Sequence, residues 1–536
     1  MAHLSVTLAV ATRAVEVRWR LEGVAFKEGD PIGQMPLSIA GAPTLQLESA
    51  AVAATDQLGP VPLDLRSTED DEREPLRRWC AGRSTVGPLD LSHLAEPVTE
   101  PPRGATPPLE LRAEGAGLSG ALKCFVILPP GPEDLTFELR WTRASDDSRA
   151  DKWMAVSSMG EGQGRERELS RTGLELLGDT YVMCGDLADR HRRDGQLSVW
   201  WLTPPGIDVE AFTVRLGATY QVMSEAFDVP THPYRVFLRT HPHRGGNASA
   251  HPASFVMAMN PADPIGEASL YETLAHELVH EWLRLDGPVE DVTWFIEGSA
   301  DYYSLVLPFR TGTLDEESFL NAVNLEAREC YANPRRVLTV REAQRLFFSD
   351  FLAHRLPYAR GMFYLADLDA RLRRATSGRQ SVDDVVRGVL RRRRSGERVG
   401  IEQWCALVEE VLLEAEMPAL DALVFTGVGR PGPESLGPRF DMQTIQVPVL
   451  DVGFDPSTFV TRRVRGLRPG GAADLAGLRE GETLDLPRYP EIVSLNVGDV
   501  LEIGVTRDGE TARIALPLSG ETAPVPQWLS RPSAAS

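Results

Sequence analysis

His276-Glu277-Leu278-Val279-His280 is followed, after sixteen intervening residues, by Glu297 within Trp294-Phe295-Ile296-Glu297-Gly298-Ser299-Ala300-Asp301. On an α-helix, positions i and i+4 lie on one face, so His276 and His280 offer imidazole nitrogens to the same ion. Glu277, next to the first histidine, is placed to face a water in the ion's coordination sphere. A catalytic zinc takes three protein ligands and keeps a fourth position open. Glu297 is the best candidate for the third. Asp286-Gly287-Pro288 stops the first helix, and from Trp294 onward Phe295, Gly298, Ala300, Tyr303 and Leu305 give a second helix a buried face. Glu297 and Asp301 lie one turn apart on that helix, so one carboxylate can bind metal while the other orients a ligand histidine.

The five-residue pattern alone arises by chance about once in a hundred chains of this size. The argument therefore rests on its combination with a loop of the right length and a carboxylate in an apolar context. The ligand set predicts one zinc ion per chain. Zinc lowers the pKa of a held water toward about 7, and Glu277 is expected to accept the proton as that water attacks a carbonyl.

These residues resemble the gluzincin group, which includes thermolysin and the aminopeptidase N-like enzymes. Trp282, two residues past His280, is similar to the His-x-Trp that closes the motif in aminopeptidase-type members. Glu297-Gly-Ser-Ala-Asp301 resembles a Glu-x-x-x-Asp whose Asp braces a ligand histidine. Pro357-Tyr358-Ala359-Arg360-Gly361, with Thr376-Ser377-Gly378 and Ser381-Val382-Asp383-Asp384, resembles the glycyl aminopeptidase family, which carries Tyr-x-Lys-Gly, a helix and Thr-x-Gly-x-x-Ser-Leu-Asp-Asp. The resemblance implies that Tyr358 donates a hydrogen bond to the oxyanion of the tetrahedral intermediate. Read from the residues alone, Tyr302, Tyr303, Tyr364 and His354 are rivals for that role. Val464 to Glu482 and Val497 to Glu510, the latter two strands around an Asp508-Gly509 turn, resemble a PDZ domain, which glycyl aminopeptidases carry after the catalytic domain. PDZ domains bind peptide C-termini, although the usual carboxylate loop is not evident near Asp451-Val452-Gly453-Phe454.

The resemblance has two departures. Related aminopeptidases hold the substrate's amino group with a Glu on a strand before the zinc helix. Here that strand reads Ser254-Phe255-Val256-Met257-Ala258-Met259-Asn260, a good edge strand without the carboxylate. Met259 and Asn260 stay as candidate substrate contacts, and Glu267, Glu272 and Glu281 are the carboxylates nearest to hand. The stretch between the zinc helix and the Glu helix is also shorter than in the family.

At 536 residues and a net charge of −21, the chain is long enough for several cores and too acidic for nucleic-acid or anionic-membrane partners. Cys80, Cys124, Cys184, Cys330 and Cys405 are scattered, and no Cys-x-x-Cys occurs. The first residues alternate like a strand and lack the basic and apolar regions of a signal peptide, and no run of 18 apolar residues follows, so a cytoplasmic location is expected. His241, His243 and His251 read as a solvated loop, and Arg391-Arg392-Arg393-Arg394 as cations at a helix C-terminus.

The expected fold is a multidomain α+β chain. An N-terminal β-sandwich-like region spans 1–205, a mainly α thermolysin-like catalytic domain 206–430, a linker 431–445, a PDZ-like domain 446–520, and a disordered tail 521–536. The expected function is a zinc aminopeptidase of the glycyl type acting on peptides. One alternative is a zinc endopeptidase, and another is a non-catalytic protein that recruits peptide partners through the PDZ-like part.

Overall fold

The computed structural model describes residues 2–531 apart from 12, 40, 69–74, 101–106, 132–134, 144–151, 162–165, 169–172, 188, 243–245, 263–266, 348–349, 488, 508–509 and 519. The chain divides into two compact units, residues 1–217 with 232–265, and residues 218–231 with 266–536.

The first unit is built on β-sheets. His3–Val10 and Val15–Glu22 form a hairpin in which Leu4, Val6, Leu8, Val17, Trp19 and Leu21 point inward and Arg18 and Arg20 outward, the period of two that one buried face imposes. They sit in a seven-stranded sheet, with Thr136–Arg143 parallel to His3–Val10 and Leu89–Ala95 antiparallel to Val15–Glu22. A three-stranded sheet of Pro31–Pro36, Leu76–Ala81 and Leu63–Thr68 shares its core through Ile32, Met35 and Trp79. Two sheets around one core give the sandwich-like platform the alternation predicts.

Two further sheets follow, each five-stranded. The second of them corrects three expectations. Its strands run His191–Asp194, Leu197–Trp201, Tyr234–Thr240, Ser254–Met259 and Gly246–His251, the middle three parallel. A boundary at 205 therefore cuts through a sheet, and residues 206–265 are not mainly helical. Ser254–Met259 is not the edge, because Gly246–His251 pairs antiparallel along its whole length, and all six of its residues are buried. The histidine loop is in part that edge strand. His251 is buried, its Nδ1 2.7 Å from the Asp179 carbonyl, and His243 lies outside the described residues.

Burial pushes both His251 and His93 of this unit down to about 4. A histidine with a lowered folded pKa binds its proton in the unfolded chain first, so stability is lost as pH falls from about 6.5 toward 4. The expected loss is on the order of 2 kcal/mol per histidine over that window. Urea unfolding of the first unit at stepped pH measures it, and His93→Gln should flatten the slope by one proton.

The second unit is helical around the metal-ligand motif. Residues 218–227 of α1 (Val209–Phe227) belong to it, followed by α2 (Glu267–Val279), α3 (Val289–Arg310), α4 (Glu316–Tyr331), α5 (Phe351–Thr376) and α6 (Val382–Arg394). Asp350 caps α5 by accepting from the amides of Leu352 and Ala353 at 3.0 and 3.3 Å. Much of the family-like stretch beyond Tyr358 is punctuation of this kind. Ser377 ends α5 in the left-handed region at φ +53°, and Ser381 with Asp384 forms the capping box of α6. The four arginines fill the last turn of α6, as the sequence predicts. Helices α3 and α5 cross where Gly298 meets Gly361. A Cβ on Gly298 would stand 2.7 Å from Met362 N, and one on Gly361 2.9 Å from Gly298 Cα.

The C-terminal region carries two corrections. Thr522–Ser530 is a strand rather than a disordered tail, and it pairs antiparallel with Phe440–Pro448, two-thirds of which belongs to the expected linker. Trp528 explains why, since its ring is fully buried and stacks on Phe363 at 5.4 Å. Asn324 of α4 clamps the Trp528 backbone, Nδ2 donating to its carbonyl at 2.9 Å and Oδ1 accepting from its amide at 2.8 Å. Residues 532–536 and the Asp508-Gly509 turn lie outside the described residues. Between the paired strands, short helices and a sheet of Thr483–Asp485, Val500–Arg507 and Glu510–Pro517 enclose a core of Val464, Ala473, Leu478, Leu501, Ile503 and Val505. Among the described residues, no helix is long and apolar enough to cross a membrane.

Candidate metal centre

Helix α2 ends at Val279, and His280 continues the turn immediately after it, with Trp282 and Leu283 amides still returning to the Val279 carbonyl at 3.0 Å. Trp282 anchors this end by stacking on Tyr220 at 5.4 Å and meeting Phe227 edge-on at 5.5 Å. The chain then turns through Asp286, whose Oδ2 accepts from Val399 N at 2.8 Å, and α3 starts at Val289, five residues before the predicted Trp294. That return brings Glu297 over the two histidines.

His276 Nε2 and His280 Nε2 are 3.0 Å apart, and Glu297 Oε2 lies 3.4 Å from the first and 3.5 Å from the second. A tetrahedral ion about 2.0–2.1 Å from each donor requires donor separations near 3.3 Å, so the three atoms already stand at close to coordination distances. They are the one group of three metal-ligating side chains found among the described residues. Asp301 Oδ1 accepts from His276 Nδ1 at 2.7 Å, which leaves Nε2 as the ring nitrogen on the side of Glu297 and the one available to an ion. The donor set of two imidazoles and one carboxylate suits zinc.

The clustered side chains shift one another's affinity for protons. Burial opposes the charged form of Glu297, but His280 and His276 overcome it and hold the carboxyl well below its usual range. Burial likewise opposes protonation of His276, and the bonds to Asp301 and Glu297 win. Glu277 is 9% exposed, and burial raises its proton affinity while His280 and His276 pull it down. Glu272, one turn before His276, is pushed up to about 7 by burial and by Asp301.

Tyr358 on α5 is half-buried, its ring stacked on His276 with centroids 5.8 Å apart and planes within 13°. The rival tyrosines are engaged in other contacts, while His354 packs on Tyr358 itself with ring centroids 5.0 Å apart. Tyr303 Oη donates to Asp383 at 3.1 Å, Tyr364 Oη to buried Glu416 at 2.9 Å, Tyr302 is 2% exposed against Tyr303, and His354 lies 3.2 Å from the Phe347 carbonyl. Arg360, at the family's lysine position, is structural, donating to the carbonyls of Leu338 and Arg336 at 2.9 and 2.7 Å. Met259 ends a buried strand of the first unit. Asn260 follows it, with Nδ2 donating to the Pro242 carbonyl at 3.3 Å and Oδ1 accepting from Ala262 N at 2.9 Å. Sequence reasoning missed Arg355. Its one signal is a cation one turn ahead of Tyr358 in a largely apolar run.

The sequence matches no protein-family model and no curated protein. Among solved structures, an aminopeptidase N family protein from Idiomarina loihiensis is similar over 99% of this chain and 98% of its own, with a TM-score of 0.68 at 16% identity. This chain has an aminopeptidase N-type fold. An M1 zinc metallopeptidase from Deinococcus radiodurans has a TM-score of 0.48 at 18% identity, over 81% of this chain and 95% of its own. Native yeast LTA4 hydrolase has 0.48 at 12%, over 80% and 68%. Within that fold, His276, His280 and Glu297 of the second unit are the residues that converge.

Proposed function

We propose that the protein is a zinc-dependent peptidase, and in particular an aminopeptidase of the glycyl aminopeptidase type. The observation that carries this reading is the convergence of His276, His280 and Glu297, with Asp301 behind His276, in an aminopeptidase N-type fold. Zinc, when bound by those three residues, supplies Lewis acidity to a carbonyl and acidity to a water. Glu277 accepts the proton of the attacking water and returns it to the departing amine, for which its buried carboxylate is suited. Tyr358 donates to the oxygen that gains charge, a contribution of about 3 to 4 kcal/mol for one such donor. Endopeptidase action is the second reading, favoured by the absence of a carboxylate at Ala258, Met259 and Asn260, since an α-ammonium needs an anion. For the C-terminal part we propose peptide C-termini as partners. A cleft of about 450 Å³ there is lined by Asp451, Val452, Gly453 and Phe454 together with Arg336 and Arg468.

Metal analysis combined with a substrate panel tests the reading. Wild type should purify with one zinc per chain, whereas His276→Ala and Glu297→Ala should not, and a metal-free, inactive wild type would refute it. Aminoacyl amides should be cleaved at least tenfold faster than amino-blocked peptides, and the reverse preference makes the enzyme an endopeptidase. The same peptides with free or amidated C-termini, titrated by fluorescence anisotropy, report on the cleft. Equal binding of the two forms excludes carboxylate capture.

A further inference from the structure

Arg355 lies on α5 one turn ahead of Tyr358, with its side chain 19% exposed. Nε donates to Glu329 Oε2 at 2.6 Å and Nη2 to Glu326 Oε1 at 2.8 Å, both carboxylates belonging to α4. The guanidinium carbon stands 4.7 Å from the centroid of the Tyr358 ring. Nη2 is also 3.9 Å from Asp301 Oδ2 on α3. That oxygen is buried and has no hydrogen-bond partner, while Oδ1 of the same carboxylate holds His276 Nδ1.

The shape of the group matters as much as its charge. A guanidinium is a planar fork, and two carboxylates gripping its edge fix both its position and the rotation of its plane. With the plane fixed, the cation is held against the phenol ring and its outer nitrogen faces the free oxygen of Asp301. A lysine carries the same charge but has no plane to fix. The two groups thus held act on the same imidazole, Asp301 by its hydrogen bond and Tyr358 by its stacked ring.

We propose that Arg355 is a positioning residue that sets Asp301 and Tyr358 together, so that the orientation of the His276 imidazole and the placing of the Tyr358 phenol depend on one side chain. The inference rests on the peptidase reading for its catalytic consequence, and on the geometry of the chain's own residues for its effect on metal binding. Residues that orient a metal-binding histidine typically govern 10- to 100-fold in affinity or activity.

The test uses Arg355→Lys and Arg355→Gln, with Glu329→Gln as a second route that leaves the arginine in place. Three quantities are read on the full chain. They are the zinc Kd of metal-free protein in competition with a chromophoric chelator, the visible spectrum of the protein loaded with Co²⁺, and kcat and KM on an aminoacyl amide. Arg355→Lys should weaken zinc binding about tenfold, shift the Co²⁺ spectrum and lower kcat by about 10- to 100-fold with KM within about twofold. Glu329→Gln should move the same quantities in the same direction by less. If Arg355→Lys and Glu329→Gln keep zinc Kd, spectrum and kcat within about twofold and only the melting temperature falls, the role is packing alone and the proposal is overturned. The first two readouts do not need turnover. A wild type that binds zinc and hydrolyses nothing therefore refutes the peptidase reading, while the Arg355 proposal is still decided by Kd and spectrum.

Discussion

Glu277→Gln is expected to bind zinc as tightly as wild type and to lose roughly 10²- to 10⁴-fold in kcat on peptide substrates, the range a positioned general base contributes. The substitution keeps the shape and a hydrogen-bonding oxygen while removing the ability to take a proton. Glu277 is not among the three converging donors, so its loss leaves the coordination set intact. Its carboxyl is nearly enclosed, and burial raises its affinity for a proton while His280 and His276 keep that rise in check. A base must hold a proton briefly and then release it, and these opposing influences favour that behaviour. Zinc content by metal analysis together with steady-state kinetics decides the matter. Full activity in the glutamine variant would sink the mechanism, and loss of zinc would reassign Glu277 to holding the site.

What was legible in the sequence follows from how local each relation is. His276 and His280 are separated by one helical turn, and Glu297 and Asp301 by another, so their faces can be read from spacing alone. A short loop with a strong stop signal at Asp286-Gly287-Pro288 then leaves little choice about how the two helices meet. Tyr358 was reachable only through resemblance, because nothing in its neighbourhood ties it to residues about eighty positions earlier. Arg355 illustrates the limit. Its partners Glu326 and Glu329 lie on another helix, in a relation that no periodicity encodes.

Two of the misjudged elements share a cause of the same kind. Ser254–Met259 and Leu197–Trp201 join one sheet through Tyr234–Thr240, and parallel pairing across intervening chain leaves no local mark at a boundary such as 205. Gly246–His251 is rich in small and polar residues and reads as loop, yet it needs only a partner's backbone to become an edge strand. Thr522–Ser530 contains Pro524 and Pro526, which suggest disorder. Proline is tolerated in a strand whose missing amide is not needed for pairing, and a two-stranded ribbon supplies that condition. For the boundary at 205 and for Thr522–Ser530 the deciding contact is distant, whereas Gly246–His251 pairs with the very next strand and only its composition hid it.

Gly361→Ala is expected to destabilise the second unit by about 3 kcal/mol, at the upper end for overpacking, and to cost on the order of 10²-fold in activity through displacement of the site. The methyl would press on the backbone of α3 at Trp294 and Gly298 rather than on a side chain that can rotate away. The helices can relieve it only by separating, and separation moves the functional groups directly. Glu297 is the residue before Gly298, and Tyr358 is one turn before Gly361. The donor that completes the metal set and the phenol stacked on His276 would therefore shift apart. Gly396→Ala serves as the comparison, since Gly396 has φ +87° with open space around it, so that substitution strains the backbone without touching α3 or α5. It should lower the melting temperature modestly and leave zinc Kd and kcat near wild type. Gly361→Ala should change all three, and a Gly361→Ala protein with wild-type zinc affinity and turnover would mean that this crossing does not set the geometry of the centre.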